Sequence, residues 1–324
     1  MKKLKDLRRK LSSKFSTPVK VGDILPSLTT DYLVLKTIGE GVYGEVLECL
    51  DIKNQKIVAV KILKYPNARQ NAKHEMSFLK IISPLNHKNL VKFFERFKYK
   101  RQECLVFEML YRNLQYFIIV NPDRIPLNKI RAIAKQLFMA MEALSTVGII
   151  HTDIKPDNIM FKSCFDMRIK LIDFGVAIRD ADVLVGDKVQ PIGFRAPEIL
   201  LGLPYTNAID MWGVGCVLAN LYLRFFLFNA DTDYEMMRQV VQLLGQPEDG
   251  LLHAGIYTKK YFIKVKRTNG STWRLKDQSS LSSLSEKTAE VYNESNKNTR
   301  QNFKDCIFPC LDELVYVSIL QFAK

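Results

Sequence analysis

The chain has 324 residues, 47% hydrophobic and 25% charged, which reads as globular and leaves room for two separate cores. No apolar run approaches the roughly 18 residues that a membrane-crossing helix needs, so no membrane partner is expected. The net charge of +14 favours acidic partners without naming one.

The opening M-K-K-L-K-D-L-R-R-K-L lacks the apolar core and small-residue cleavage site of a secretory leader. Cysteines stand at 49, 104, 164, 216, 306 and 310 with no C-x-x-C pair, which reads as reduced thiols in the cytoplasm or nucleus. Basic residues crowd between Lys2 and Lys20. They read either as a nuclear address or anionic-surface contact, or as a solvated terminus with no partner. Residues 1–30 are taken as a flexible basic arm.

From Asp31 the pattern becomes strand-like. Tyr32–Ile38 alternates into Gly39-Glu40-Gly41-Val42-Tyr43-Gly44, and strand-type sequence continues from Glu45 to Leu50. A G-x-G-x-x-G alone is a weak signal, shared with dinucleotide-binding folds, where the glycines lead from strand into helix. Strand character on both sides favours a β-hairpin whose tip covers phosphates; a ligand-free glycine turn is the plain alternative. Lys56–Leu63, K-I-V-A-V-K-I-L, is a strand apolar on both faces, and Lys61 embedded in it needs an anionic partner. The amphipathic stretch Ala68–Ile82 supplies Glu75 for that role, whereas His74 beside it reads as a surface residue. Leu90–Phe97 and Glu103–Met109 complete a small antiparallel sheet, and residues 31–108 form a first lobe.

Helical periodicity follows. Leu127–Val147 places Ile130, Ile133, Leu137, Met141 and Leu144 on one face and meets a stop at Gly148. That helix delivers the stretch Ile149–Met160, I-I-H-T-D-I-K-P-D-N-I-M, and a second apolar run, Ile169–Ile172, delivers Asp173-Phe174-Gly175. A carboxylate at Asp153, an ammonium at Lys155, an amide at Asn158 and a second carboxylate at Asp173 are the parts that phosphoryl transfer needs. Ala196-Pro197-Glu198 closes the next segment. The apolar helix Asn207–Leu223 carries Asp210 at its start, where a plain helix-end charge is the simple reading. Tyr234–Leu244 is amphipathic, and residues 109–245 form a second, helical lobe. Residues 246–302, rich in Ser, Asn, Lys and Gly, read as an irregular insertion anchored by Trp273, and 303–324 as a terminal helix.

The ordered set Gly39-x-Gly41-x-x-Gly44, Lys61, Glu75, Asp153, Lys155, Asn158, Asp173-Phe174-Gly175 and Ala196-Pro197-Glu198 resembles the protein kinases. L-V-F-E-M-L at 105–110, I-L-L-G-L-P-Y at 199–205, A-I-D-M-W at 208–212 and W-R-L-K at 273–276 are similar to the homeodomain-interacting protein kinases, within the family that includes the dual-specificity tyrosine-regulated and cyclin-dependent kinases. The resemblance implies an α+β bilobal fold, with a small antiparallel-sheet lobe bearing one helix and a larger, mainly helical lobe. It further implies transfer of the ATP γ-phosphate to protein Ser/Thr hydroxyls with Mg²⁺, and substrates that are often nuclear regulators. Asp153 would be the base and Lys155 would sit near the γ-phosphate, with Asn158 and Asp173 on the metal. Ile38, Gly39, Glu40, Gly41, Val42, Tyr43, Gly44, Val46, Ala59, Lys61, Glu75, Glu108, Leu110 and Met160 would frame the nucleotide, with the backbone of Glu108 and Leu110 meeting adenine. His151 would pack and hydrogen-bond, and Asp210 would hold the backbone of the Asp153 loop. A monomer is expected, with no direct nucleic-acid binding and the nucleus ahead of the cytoplasm. A catalytically weak, kinase-shaped binding or scaffold protein is the alternative.

The chain departs from that pattern in places. Thr152 stands where many kinases have arginine, Lys188 where the group carries a regulatory tyrosine, and Ile192 where an arginine is expected. Between Asp173 and Glu198 there is no Ser, Thr or Tyr, so that segment is expected to be set without modification or held by a partner. Asp182 and Asp187 are the expected partners of Lys188 or Arg179. The chain stops before the arginine that would pair with Glu198, and the second lobe is expected to be cut short.

Overall fold

Strand pairing starts at Ile24, inside the stretch expected to be a free arm. The computed structural model describes residues 19–40, 44–63, 68–121, 123–267 and 270–277. By contact the chain divides into a unit of Met1–His151 with Pro156–Arg179, and a unit of Thr152–Lys155 with Asp180–Lys324. The compact units thus divide at 151/152, 155/156 and 179/180, not at the expected 108/109 boundary. The helices after the sheet pack back onto strands of their own unit rather than opening a new one.

The first unit is built on β1 (Ile24–Pro26), β2 (Asp31–Glu40), β3 (Gly44–Asp51), β4 (Lys56–Leu63), β5 (Phe93–Tyr99) and β6 (Gln102–Glu108). They form one antiparallel sheet in the order β1-β2-β3-β4-β6-β5. This is one strand more than expected, because Ile24–Pro26 pairs with Asp31–Leu33. Alternation along the strands buries Val34, Leu47, Cys49, Val58, Val60, Ile62, Cys104 and Val106 in a shared core. Leu90, expected in β5, instead makes an isolated parallel bridge to Leu171.

Helix α1 (Ala68–Ile82) turns Ala72, Glu75, Phe78, Leu79 and Ile82 inward, the spacing of one helical face. α2 (Leu114–Val120) starts at Asn113, whose side chain accepts from Tyr116 N at 2.8 Å. α3 (Leu127–Thr146) buries Ile130, Ile133, Leu137, Ala140, Met141 and Leu144. It ends as the spacing predicts, with Gly148 at φ +63° donating to Ser145 O. The short strands β7 (Ile149–Ile150), β8 (Ile159–Phe161), β9 (Ile169–Leu171) and β10 (Ile178–Arg179) pair as β7–β10 and β8–β9.

The second unit holds α4 (Pro197–Leu201), α5 (Ala208–Leu223), α6 (Asp233–Leu244), α7 (Asp249–Ala254) and α8 (Thr258–Tyr261), then the hairpin β11 (Phe262–Arg267) and β12 (Gly270–Leu275). α5 is apolar nearly all round and buries Ile209, Val214, Cys216, Val217 and Leu221. A Cβ on its Gly213 would lie 2.9 Å from Ile154 Cβ, so glycine is what lets the Asp153 loop approach this helix. α6 opens with a capping box between Thr232 and Glu235.

Helices Asp249–Ala254 and Thr258–Tyr261 and strands Phe262–Arg267 and Gly270–Leu275 correct the expectation of an irregular insertion over 246–302. Composition hid the antiparallel pairing of β11 and β12, registered from Phe262↔Leu275 to Arg267↔Gly270. Trp273 is buried there and donates from Nε1 to His253 Nδ1 at 3.2 Å, as an anchor should. The rest of the basic arm, residues 1–18, lies outside the described residues. So do 278–302, the terminal helix expected over 303–324, and with it the question of a shortened lobe. Among the described residues, no helix is long and apolar enough to cross a membrane.

Candidate active site

Lys61 lies mid-strand, with Val46 of β3 on one side and Leu105 of β6 on the other, so its backbone is fixed by two ladders. Its Nζ stands 2.9 Å from both carboxylate oxygens of Glu75 and 2.9 Å from Asp173 Oδ1. The expected Lys61–Glu75 pair therefore exists and gains a third member. Burial by itself would lower the ammonium's pKa, but the Glu75 and Asp173 carboxylates outweigh it and hold Lys61 charged. Burial pushes Glu75 up, with Lys61 opposing. At Asp173 burial also pushes upward, yet the Lys61 ammonium prevails and the carboxyl sits below its ordinary value.

Asp173 is held in the left-handed region at φ +63°, a costly position for a non-glycine residue. Gly175 N donates to its Oδ1 at 3.3 Å. Phe174 behind it is fully buried, edge-on to His151 with centroids 5.0 Å apart. The His151 ring bonds Ile172 O through Nε2 at 2.9 Å, so it packs and hydrogen-bonds as expected. His74 is exposed as expected, but its Nε2 also meets Ala177 O at 2.9 Å, a link no sequence pattern marked. Asn158 is buried in the turn Pro156–Asn158, and its carbonyl accepts from Ile172 N at 2.9 Å. That bond and the Ile159↔Leu171 register place Asn158 and Asp173 on adjoining backbone.

Around Lys61 the sheet brings together several expected nucleotide contacts. Gly39 and Glu40 of β2 face Val46 and Glu45 of β3, Ile38 is exposed, and Ala59 is paired with Phe107. Strands flank the glycines on both sides, so the hairpin reading holds over the strand-to-helix one. Gly41, Val42 and Tyr43 lie outside the described residues. At Gly44 a Cβ would fall 2.1 Å from Ile62 O, so only glycine keeps the β3–β4 ladder closed there. Leu110 is buried, and Met160 bridges Asn113 from β8. Glu108 is held more firmly than its residue type suggested. Its carboxylate pairs with Lys170 at 2.8 Å and accepts from Lys92 N at 2.7 Å. Lys170, buried and also donating to Leu90 O, is a support that sequence reasoning missed; its position inside the apolar run Ile169–Ile172 was the available signal.

In the second unit Asp153 and Lys155 are 3.0 Å apart and partly exposed. Thr152, at φ +64°, donates its N–H to Asp210 Oδ1 at 2.9 Å. Asp210 is buried, so it tethers the loop and is not a plain helix-end charge. Lys188 pairs with Asp233, which corrects the expected partners Asp182 and Asp187. The second oxygen of Asp233 takes Arg195. Burial pushes the Asp233 carboxyl upward, but Lys188 and Arg195 together bring it below its ordinary value.

A protein kinase domain model matches residues 32–307. Homeodomain-interacting protein kinase 1 of Mus musculus is 36% identical over 303 residues, covering 92% of this chain and 24% of the relative. Homeodomain-interacting protein kinase 2 of Mesocricetus auratus is 36% identical over 306 residues, with 92% and 25% covered. The dual specificity protein kinase YAK1 homolog of Arabidopsis thaliana is 35% identical over 254 residues, with 75% and 26% covered. The chain thus spans about a quarter of the length of these relatives. With the domain matched across most of its length, the chain belongs to the protein kinase family.

Proposed function

We propose that this chain transfers the γ-phosphate of ATP to serine and threonine hydroxyls of proteins. The observation that carries the reading is Lys61 held at 2.9 Å by both Glu75 and Asp173 on a rigid strand. A buried ammonium so fixed is a preset contact for the α- and β-phosphates, with the Gly39–Gly44 hairpin above them. Asp153 positions the substrate hydroxyl and accepts its proton, and Lys155 offsets charge on the moving phosphoryl. Asn158 and Asp173 are the oxygen donors for Mg²⁺. Among the described residues no group of three or more His, Cys, Asp or Glu gathers as a metal cage. A pair of protein oxygens suits magnesium, which keeps water and phosphate oxygens as its other ligands. Bound there, the ion would neutralise phosphate charge. Glu108, Leu110, Ile38, Val46, Ala59 and Met160 frame the adenine.

The protein substrates are taken to be nuclear regulators, and the relatives' name points to homeodomain proteins as partners. The net charge of +14 suits acidic surfaces on them. A monomer acting in the nucleus completes the reading. The test is labelled-ATP transfer by the purified protein to a generic basic substrate, with Asp153→Asn as control. Label incorporation that vanishes in the control is expected. Nucleotide binding without transfer in the parent would leave a kinase-shaped binding protein instead.

A further inference from the structure

Residues 186–196 are held by side chains, without regular strand pairing. Arg195 donates through Nε to Val189 O at 2.9 Å and through Nη2 to Gln190 O at 2.6 Å, and its Nη1 reaches Asp233 Oδ1. Lys188 takes Asp233 Oδ2, the other oxygen of the same carboxylate. Gln190, held at φ +68°, donates to Ile209 O at 2.8 Å and accepts from Ala196 N at 2.9 Å. Tyr257 donates its hydroxyl to Gly186 O at 2.7 Å, and the Lys188 and Lys260 ammonium groups lie 5.6 and 3.8 Å from its ring centre.

Two features make Asp233 the keystone. It is the first residue of α6, where unpaired backbone N–H groups favour an anion, and the capping box of Thr232 and Glu235 fixes that helix end. One carboxylate on a fixed element therefore gathers two cations from the segment. The segment also shares its footing with the base. Gln190 binds the carbonyl of Ile209, while the neighbouring Asp210 binds Thr152 N, one residue before Asp153. Adjacent residues of α5 thus locate the segment and the Asp153 loop together.

We propose that Asp233 is a positioning residue for the protein substrate, presetting residues 186–196 beside the Asp153 loop through Lys188 and Arg195 with no added phosphate. In other settings a phosphate orders such a segment by drawing cations to a new anion. Here the anion is part of α6, and the stretch from Asp173 to Glu198 carries no hydroxyl side chain to modify. The proposal rests on the kinase reading for its substrate arm and on geometry alone for its ordering arm.

The test compares the parent chain with Asp233→Asn, Asp233→Glu and Lys188→Met. Hydrogen exchange of the 186–196 amides is followed by mass spectrometry, with KM for a serine peptide, KM for ATP and kcat alongside. Asp233→Asn should speed exchange in 186–196 and raise the peptide KM about tenfold, the effect of roughly 1.4 kcal/mol, with the ATP KM unchanged. Asp233→Glu should restore most of both, and Lys188→Met should fall between. Unchanged exchange and peptide KM in Asp233→Asn, or equal losses in the Asn and Glu variants, would overturn the proposal. If Asp233→Asn does not fold, Lys188→Met decides by the same exchange readout. A parent that transfers no phosphate defeats the kinase reading, and exchange in 186–196 then decides the ordering arm by itself.

Discussion

In the sheet unit one cation, Lys61, lies between two carboxylates; in the helical unit one carboxylate, Asp233, lies between two cations. In the first cluster the Glu75, Lys61 and Asp173 side chains are 3%, 16% and 34% exposed; in the second Arg195, Asp233 and Lys188 are 13%, 20% and 45% exposed. Burial sets what each cluster can do. The enclosed Lys61–Glu75 pair cannot lose a member without leaving a desolvated charge, so it suits a permanent contact for phosphates. A half-open cluster is weakened by solvent, so it needs the extra bonds of Arg195 and Gln190 to hold a segment. The balance differs as well: the first carries an excess negative charge, which suits a cation, and the second an excess positive one.

The comparison is sharpest if nucleotide binding belongs to the first unit and chemistry to the second. Asp153→Asn should then lower phosphoryl transfer by about 10²- to 10⁴-fold, the range for a positioned base. ATP affinity, measured by calorimetry, should stay near that of the parent. Turnover comparable to the parent would break the division of labour.

A smaller effect is expected inside the first cluster. Lys61→Met leaves Glu75 and Asp173 facing each other without a counter-charge. It should reduce stability by about 3 kcal/mol and weaken ATP binding. Glu75→Gln should cost less, since Lys61 keeps Asp173 at 2.9 Å. Urea unfolding and calorimetry on both variants check the order; equal losses would mean that Asp173 shares little of the charge.

These two clusters also differ in how far the sequence foretold them. Lys61 was legible because an ammonium inside K-I-V-A-V-K-I-L has to be paired, and the next helix offered Glu75 on its inward face. Asp210 was legible as a tether because its position in A-I-D-M-W matched a known pattern. Lys188 was not, since a lysine in an irregular segment satisfies itself in water and gives no hint of a distant partner. Nearby Asp182 and Asp187 were natural guesses, and only the fold brings Asp233 across. The β1 strand was missed for a related reason: Ile24–Pro26 is short and ends in proline, and its pairing with β2 is what makes it a strand. The hairpin β11–β12 was hidden by its lysines, since Lys264 and Lys266 share the face of buried Phe262 and Lys264 is registered opposite buried Trp273.

Salt should separate the clusters more gently. The Debye length falls from about 10 Å at 0.1 M to about 3 Å at 1 M salt, and screening reaches exposed charges first. Amide exchange in residues 186–196 should quicken as salt rises, with a change of about 0.2–1 kcal/mol, while β4 amides stay constant. Equal responses would erase the distinction drawn from burial.

The smallest expected effect is none at all. Phosphate added to a segment orders it when arginines can close on the new dianion. From Asp173 to Glu198 this chain offers no hydroxyl to accept it, and Thr152 and Ile192 stand where arginines were expected. The remaining arginine near the segment's end, Arg195, is already bound to Asp233, Val189 O and Gln190 O. Acceptor and free partners are thus missing together, and an internal carboxylate stands in for the phosphate. Purified protein treated with a broad phosphatase, and shown to be dephosphorylated by mass spectrometry, should keep its transfer activity and its exchange pattern in 186–196. A large loss of either would mean that a modified residue outside this segment sets it, and the contrast between a self-sufficient carboxylate and an added phosphate would collapse.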